Sequence, residues 1–370
     1  MKLTLLLLVA VAGRAAIVEA DSARGARLFE TLSCVQCHGV NGKGGTVGPD
    51  LGRVVNREFT PARLAATMWN HAPEMWASMR QKNIAIGELD EQGAADLFAF
   101  FASSRYFEKA GDAGRGKEIF TRRGCEGCHG VSATSRGIKP VDKWDGVNEP
   151  MALVEAMWNH APRMMEATGA RKVSWPVLSG QDLADLQVYL RNLPALRGKT
   201  GVYRIGAGAN GEATFKSSGC PACHKGGAGP LVSKIRRWTL SDVSAAMWNH
   251  APRMKAAGAK PSRLEPGEMH ELISFLWARQ FFGESGDAAR GKRFFTAKRC
   301  SNCHEDASSG APRLPSGAGQ FNAALMVSTL WRHGPGMNEQ MKIRSIAWPR
   351  FEGTEMADII AFLNAGKPGK

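Results

Sequence analysis

Every cysteine in the chain belongs to one five-residue pattern, and that pattern occurs four times. The copies are CVQCH (Cys34, Cys37, His38), CEGCH (Cys125, Cys128, His129), CPACH (Cys220, Cys223, His224) and CSNCH (Cys300, Cys303, His304). Eight cysteines in an exported chain would ordinarily be read as four disulfides. That reading leaves the spacing of two and the invariant following His unexplained. The first cysteines lie 91, 95 and 80 residues apart, so the fold has to be organised around something that happens four times.

C-x-x-C-H is the attachment pattern of c-type haem. Two thiols on one turn can bond the two vinyl groups of a porphyrin, and the adjacent imidazole then sits beneath the iron as proximal ligand. Zinc would need the motifs to pair and does not call for a His directly after the second Cys. A redox dithiol would be expected once, near a βαβ pattern that is absent. The expectation is therefore four haem c groups, with His38, His129, His224 and His304 as proximal iron ligands.

The surroundings repeat as well. A Gly (Gly25, Gly116, Gly211, Gly291) stands nine residues before each first Cys, and a Phe (Phe29, Phe120, Phe215, Phe295) follows four residues later. This spacing fits a short amphipathic helix running into the attachment turn. Behind each motif lies a Gly- and Pro-rich loop holding Pro49, Pro140, Pro230 or Pro312. Such a loop either presents a carbonyl to the free nitrogen of the proximal His or simply turns the chain. Two further helices complete each unit, the last reading GAADLFAFFASS, DLADLQVYLRNL, EMHELISFLWAR and EMADIIAFLNAG, each with an apolar stripe at helical spacing. No period-two alternation stands out. The chain reads as all-α, in units at 21–109, 110–197, 198–283 and 284–370 after an export segment at 1–20.

Each unit resembles a class I cytochrome c domain: an N-terminal helix, CxxCH, a Pro-containing loop, a middle helix and a C-terminal helix crossing the first. The resemblance covers nearly all of the chain after residue 20 and implies four tandem domains, each wrapped round one haem. In that family the sixth iron ligand is usually a Met just before the final helix. Here those stretches read NIAIGEL, VSWPVLS, KPSRLEP and IAWPRFE, and no Met, His or Lys recurs in them. The distal ligand either comes from elsewhere or is missing.

A second repeated motif supplies candidates: MWNHAPEM at 68–75, MWNHAPRM at 157–164 and 247–254, and LWRHGPGM at 330–337. Of nine histidines, four follow CxxC, four lie in this motif, and only His270 remains, read as a surface residue. On a helix at about 100 degrees per residue, the motif His and Met fall within about 60 degrees of the apolar positions five and one before the Trp. His71, His160, His250 and His333 are the preferred distal ligands, and Met75, Met164, Met254 and Met337 the alternatives. Each set has a bland reading too, a propionate-holding His or core-filling Met. Trp69, Trp158, Trp248 and Trp331 pack against the porphyrin or hold a propionate, or else are plain core. Pro73, Pro162, Pro252 and Pro335 should kink the helix.

Residues 1–20 read as a signal peptide: Lys2, an apolar run over 3–13, and a small-residue cleavage site ending at Ala20. No other stretch reaches the roughly 18 apolar residues of a membrane span. A periplasmic or extracellular location follows. The 48 Lys and Arg against 34 Asp and Glu give a charge of +14, which favours acidic redox partner proteins or a membrane surface. The basic residues are scattered rather than clustered with aromatics in a module, against nucleic acid. Electron transfer is the leading function. The alternatives are a haem enzyme such as a peroxidase or small-molecule reductase, with the fourth unit (Arg332, Gly334) the first suspect for an open site, and an oligomeric extracellular haem wire.

Overall fold

In three of the four lead-in helices an Asp stands where the first N–H groups need an acceptor. Asp21, Asp112 and Asp287 cap three of the four, accepting from the backbone N–H of Arg24, Arg115 and Arg290. The computed structural model describes residues 20–52, 60–104, 111–144, 146–147, 149–196, 205, 210–224, 231, 238–259, 262–282, 285–314 and 321–365. The expected export segment, apart from Ala20, and the unit boundaries near 109, 197 and 283 lie outside the described residues.

The first repeat contains α1 (Ser22–Thr31), α2 (Pro61–Gln81) and α3 (Glu91–Ser104); the second contains α4 (Ala113–Arg122), α5 (Pro150–Ala170) and α6 (Gly180–Arg191). The third contains α7 (Gly211–Ser217), α8 (Leu240–Ala256) and α9 (Glu268–Phe282). The fourth contains α10 (Ala288–Ala297), a single turn α11 (Ser301–His304), α12 (Ala323–Ile343) and α13 (Glu355–Ala365). One departure from the all-α expectation is a two-stranded hairpin, Gly39–Val40 against Lys43–Gly44. Strands of two residues are too short to leave an alternation in the sequence.

The first helix of every repeat crosses the last: α1 on α3, α4 on α6, α7 on α9 and α10 on α13. The repeated Gly makes this crossing close. A Cβ on Gly25, Gly116 or Gly291 would lie 2.0, 2.1 or 1.9 Å from the carbonyl oxygen of Asp96, Asp185 or Asp358, and one on Gly211 would lie 2.4 Å from that of Glu271. Only a residue without a side chain allows such an approach. The repeated Phe is buried beside it in all four repeats.

Ion pairs lock three of the crossings. Arg24 reaches Asp96 through Nε and Nη2 at 2.7 and 2.9 Å, Arg115 reaches Asp185 at 2.9 and 2.9 Å, and Arg290 reaches Asp358 at 2.9 and 3.0 Å. The same carboxylates accept the backbone N–H of Asp21, Asp112 and Asp287. Burial pushes the Asp185 and Asp358 carboxyls up, but these bonds outweigh it and hold both below the usual carboxylate range. At the third crossing Asn210 replaces the Arg, and its backbone N–H donates to Glu271 at 3.2 Å.

The repeats pack out of chain order. Helix α2 lies against α12 and α13, and α3 against α12, joining the first repeat to the fourth. Helix α8 lies against α5 and α6, and α9 against α5, joining the second to the third. First and third also meet: Phe98 stacks on Phe282 (6.3 Å, 7°) and stands edge-on to Phe281. Beside this contact the Ser22 N–H donates to the Ile205 carbonyl at 2.8 Å. No helix of the described residues is long and apolar enough to cross a membrane.

Substituting Gly291→Ala should lower stability by at least about 1–3 kcal/mol, the usual cost of overpacking, because backbone rather than a movable side chain blocks the added methyl. Thermal unfolding followed by circular dichroism checks this; an unchanged midpoint would show that the helices can separate without loss.

Candidate functional site

The residue before each first Cys is left-handed: Ser33 (φ 61°), Gly124 (75°), Gly219 (73°) and Arg299 (63°). This ends the first helix and swings the chain into a tight turn, 3-10 over Cys34–Gln36, Cys125–Gly127 and Cys220–Ala222 and helical in α11. The His N–H then donates to the first Cys carbonyl at 2.8–3.0 Å in all four copies. Both thiols and the imidazole therefore hang from one turn.

No disulfide forms among the eight cysteines. Burial pushes the Cys34, Cys125 and Cys300 thiols up to about 11 and also raises Cys220. Thiols held protonated at neutral pH do not suit an attacking redox dithiol. Among the described residues no group of three or more His, Cys, Asp or Glu side chains is arranged to hold a metal ion.

The Pro loop meets the proximal imidazole in two repeats. His38 Nδ1–H donates to the Pro49 carbonyl at 3.1 Å, and His304 Nδ1–H to the Pro312 carbonyl at 2.8 Å. A Cβ on Gly48 would lie 2.4 Å from the His38 ring, so the loop lies flat on the imidazole. The second repeat differs: His129 Nδ1 is buried without a partner, and Trp144 stands edge-on to the ring at 5.1 Å. Pro230 lies outside the described residues.

Helices α2, α5, α8 and α12 bring the second set of histidines to face the first. Ring centres are 6.3 Å apart for His38 and His71, 6.0 Å for His129 and His160, and 6.3 Å for His224 and His250. In the fourth repeat His304 and His333 line one cavity of about 340 Å³, together with Cys300, Cys303, Met337 and Phe295. Two imidazole nitrogens each about 2 Å from a shared metal, with ring centres about 1 Å behind them, would put the ring centres about 6 Å apart. The residues thus fit an iron porphyrin with its thioether-forming cysteines on one wall and an imidazole on each face. His71 Nδ1 is engaged by the Thr67 carbonyl at 2.5 Å, leaving Nε2 for the shared space. Burial lowers the pKa of His71, His129 and His160, favouring the neutral imidazole that binds metals.

The motif methionines are half-buried. Met337 lines the fourth cavity beside His333, whereas Met254 packs on the cluster built largely from the second repeat. His270 is half-buried rather than on the open surface, because α9 is flanked by α5 and α7.

The rest of the W-N-H-x-P motif joins repeats. The indole N–H of Trp69 donates to the Pro349 carbonyl at 2.9 Å, Trp331 to Gly87 at 2.8 Å, Trp158 to Ser262 at 3.3 Å and Trp248 to Pro176 at 2.7 Å. Each donor meets the stretch before the last helix of the opposite repeat, where the resemblance led us to look for Met. With the N–H so used, none of these indoles is left to hold a propionate. Asn70, Asn159 and Asn249 pair by side chain with both the N–H and the carbonyl of Phe351, Leu264 and Leu178.

The prolines complete the clasp. Helices α2, α5, α8 and α12 all run on through them. A proline removes one N–H, which leaves the carbonyl four residues earlier without its helical donor. Pro73 thereby frees the Trp69 carbonyl, which accepts the Trp348 indole at 2.9 Å; Pro252 frees that of Trp248, which accepts Trp175 at 3.3 Å. These two indoles also pack ring to ring with the motif tryptophans, Trp69 and Trp348 at 5.0 Å and 24°, Trp175 and Trp248 at 4.3 Å and 30°. Gly334 has a packing reason: a Cβ there would lie 2.3 Å from the Trp76 ring. The Asn residues were not singled out by sequence; the pre-helix stretches were, as the place of an absent Met, and Trp175 and Trp348 there were the available signal for their role as partners of another repeat.

The cytochrome c family model matches residues 22–105. That segment, with its CVQCH turn, Pro49 loop and packed α1 and α3, is similar to a cytochrome c domain, a family of haem-based electron-transfer modules that bind haem c covalently. No curated protein and no solved structure matches the chain.

Replacing Asn249 by Ala should cost about 1–3 kcal/mol, since it leaves the Leu178 N–H and carbonyl without partners in a part-buried interface. Chemical denaturation measures this, and a cost near zero would mean that water serves those groups equally well.

Proposed function

We propose that the chain is an exported tetrahaem c-type cytochrome that carries electrons between redox partner proteins, built as four tandem cytochrome c domains. The carrying observation is the imidazole pairs: three facing at 6.0 to 6.3 Å and the fourth lining one cavity. Cys34 and Cys37, Cys125 and Cys128, Cys220 and Cys223, and Cys300 and Cys303 hold the four haems by thioether bonds. His38 with His71, His129 with His160, His224 with His250 and His304 with His333 would hold the iron of the four haems. Met75, Met164, Met254 and Met337 then pack beside the haems rather than bind iron. Bound haem supplies reversible one-electron chemistry.

The protein's part is to fix and tune. Two imidazoles favour lower potentials than a His and Met pair. Pro49 and Pro312 carbonyls raise the basicity of His38 and His304, which favours the oxidised iron. His129 lacks such an acceptor. Redox titration should therefore place the second site at a higher potential than the first and fourth, and a second site at the lowest potential would contradict this tuning. The charge of +14 favours acidic partners and makes encounter rates fall as salt rises. Export by residues 1–20 puts the protein in the periplasm or outside the cell.

Haem quantitation on the purified protein should give four per chain, and the oxidised near-infrared spectrum should lack a Met-to-iron band. Such a band on most haems would return the distal role to the methionines. His71→Met should raise the potential of one haem and leave the haem content at four.

A further inference from the structure

We propose that Trp69 and Trp248 conduct electrons between haem sites, Trp69 between the first and fourth and Trp248 between the second and third, so that the sites work as two couples that ignore chain order. The inference rests on the tetrahaem reading above.

Trp69 belongs to two sites at once. It is two residues from His71, whose ring faces His38, yet it lines the fourth repeat's cavity with Cys300, His304 and His333. Trp248 repeats the arrangement: it is two residues from His250, which faces His224, and its ring sits in the second repeat's cluster with Phe120 and Val141. Both indoles are buried, at 8 and 6 % exposure. Each is held on three sides: its N–H by the Pro349 or Pro176 carbonyl, its face by Trp348 or Trp175, and its carbonyl by that second indole's N–H.

This is a costly arrangement for packing alone. A proline in mid-helix, a tryptophan in each opposing loop and a matched carbonyl acceptor are all spent on fixing one ring between two sites. The first and third repeats, one from each couple, meet through Phe98, Phe281 and Phe282.

The step is a single-electron exchange: one iron is oxidised from the ferrous to the ferric state as the other is reduced, with no proton or bond change. The indole is neither oxidised nor reduced; it supplies a bonded, close-packed path in place of a gap.

The test uses nuclear magnetic resonance of the full holoprotein, with haem methyl signals assigned through His71→Met, His160→Met, His250→Met and His333→Met one at a time. In partly reduced samples, exchange cross-peaks should report faster hopping between sites one and four and between two and three than between one and two or three and four. Trp69→Phe should slow exchange between one and four several-fold and leave two and three unchanged, and Trp248→Phe should do the reverse. If Trp69→Phe does not fold, Trp348→Leu removes the other ring of the stack while keeping the bond from Trp69 to Pro349. Fastest exchange between sequence neighbours, or unchanged rates in the Trp variants, would overturn the proposal. Fewer than four haems, or Met ligation in the same samples, would instead overturn the tetrahaem reading.

Discussion

A carbonyl released by a proline holds the two ends of this molecule together. In α2 the missing N–H of Pro73 leaves the Trp69 oxygen open, and Trp348 fills the vacancy from nearly three hundred residues away in the chain. In α8 the pair is Pro252 and Trp175. A buried carbonyl cannot stay unpaired cheaply, so Pro73 and Pro252 each call for a donor from outside their own helix. Another repeat supplies it, which ties the first repeat to the fourth and the second to the third.

The same helix then serves two surfaces. One side carries the His that faces the CxxCH turn across the haem space. The opposite side carries Trp, Asn and a small residue (Ala72, Ala161, Ala251 or Gly334) that let another repeat come close. Shifting the helix by one residue would spoil both, which ties the spacing of the imidazole pair to the clasp. It also explains the altered fourth copy. Gly334 makes room for the Trp76 ring, and Arg332 stands where Asn would grip the first repeat, so that pairing has one Asn grip where the second and third repeats have two.

Much of this was legible in residue order. CxxCH at regular spacing, Gly nine residues before it and Phe four after that Gly marked the attachment turns and the helices entering them, because these are local patterns with local causes. Helical periodicity placed His71 and its counterparts on the inward face. The role of Gly25 was only half visible: the sequence suggested a helix start, while its function is to let the Asp96 carbonyl approach. Trp69 was read as a haem neighbour or core residue; it is a core residue, and it also bridges two repeats, which the sequence did not show. Pro73 was expected to bend α2; the helix continues through it, and the acceptor it frees was not foreseen. These readings fell short for one reason, that the partner of each group lies in a distant repeat.

By itself the sequence determined the helical class, the CxxCH turns and the helix face that carries each motif His, since such motifs and helical period act within a few residues. Tertiary structure alone decided which repeat meets which. Tandem repeats are nearly interchangeable as local units, so their order in space depends on single differences: a Trp at 175 and 348, a Gly at 334, a Phe pair at the end of α9. Those residues act only when two surfaces far apart in the chain are brought together.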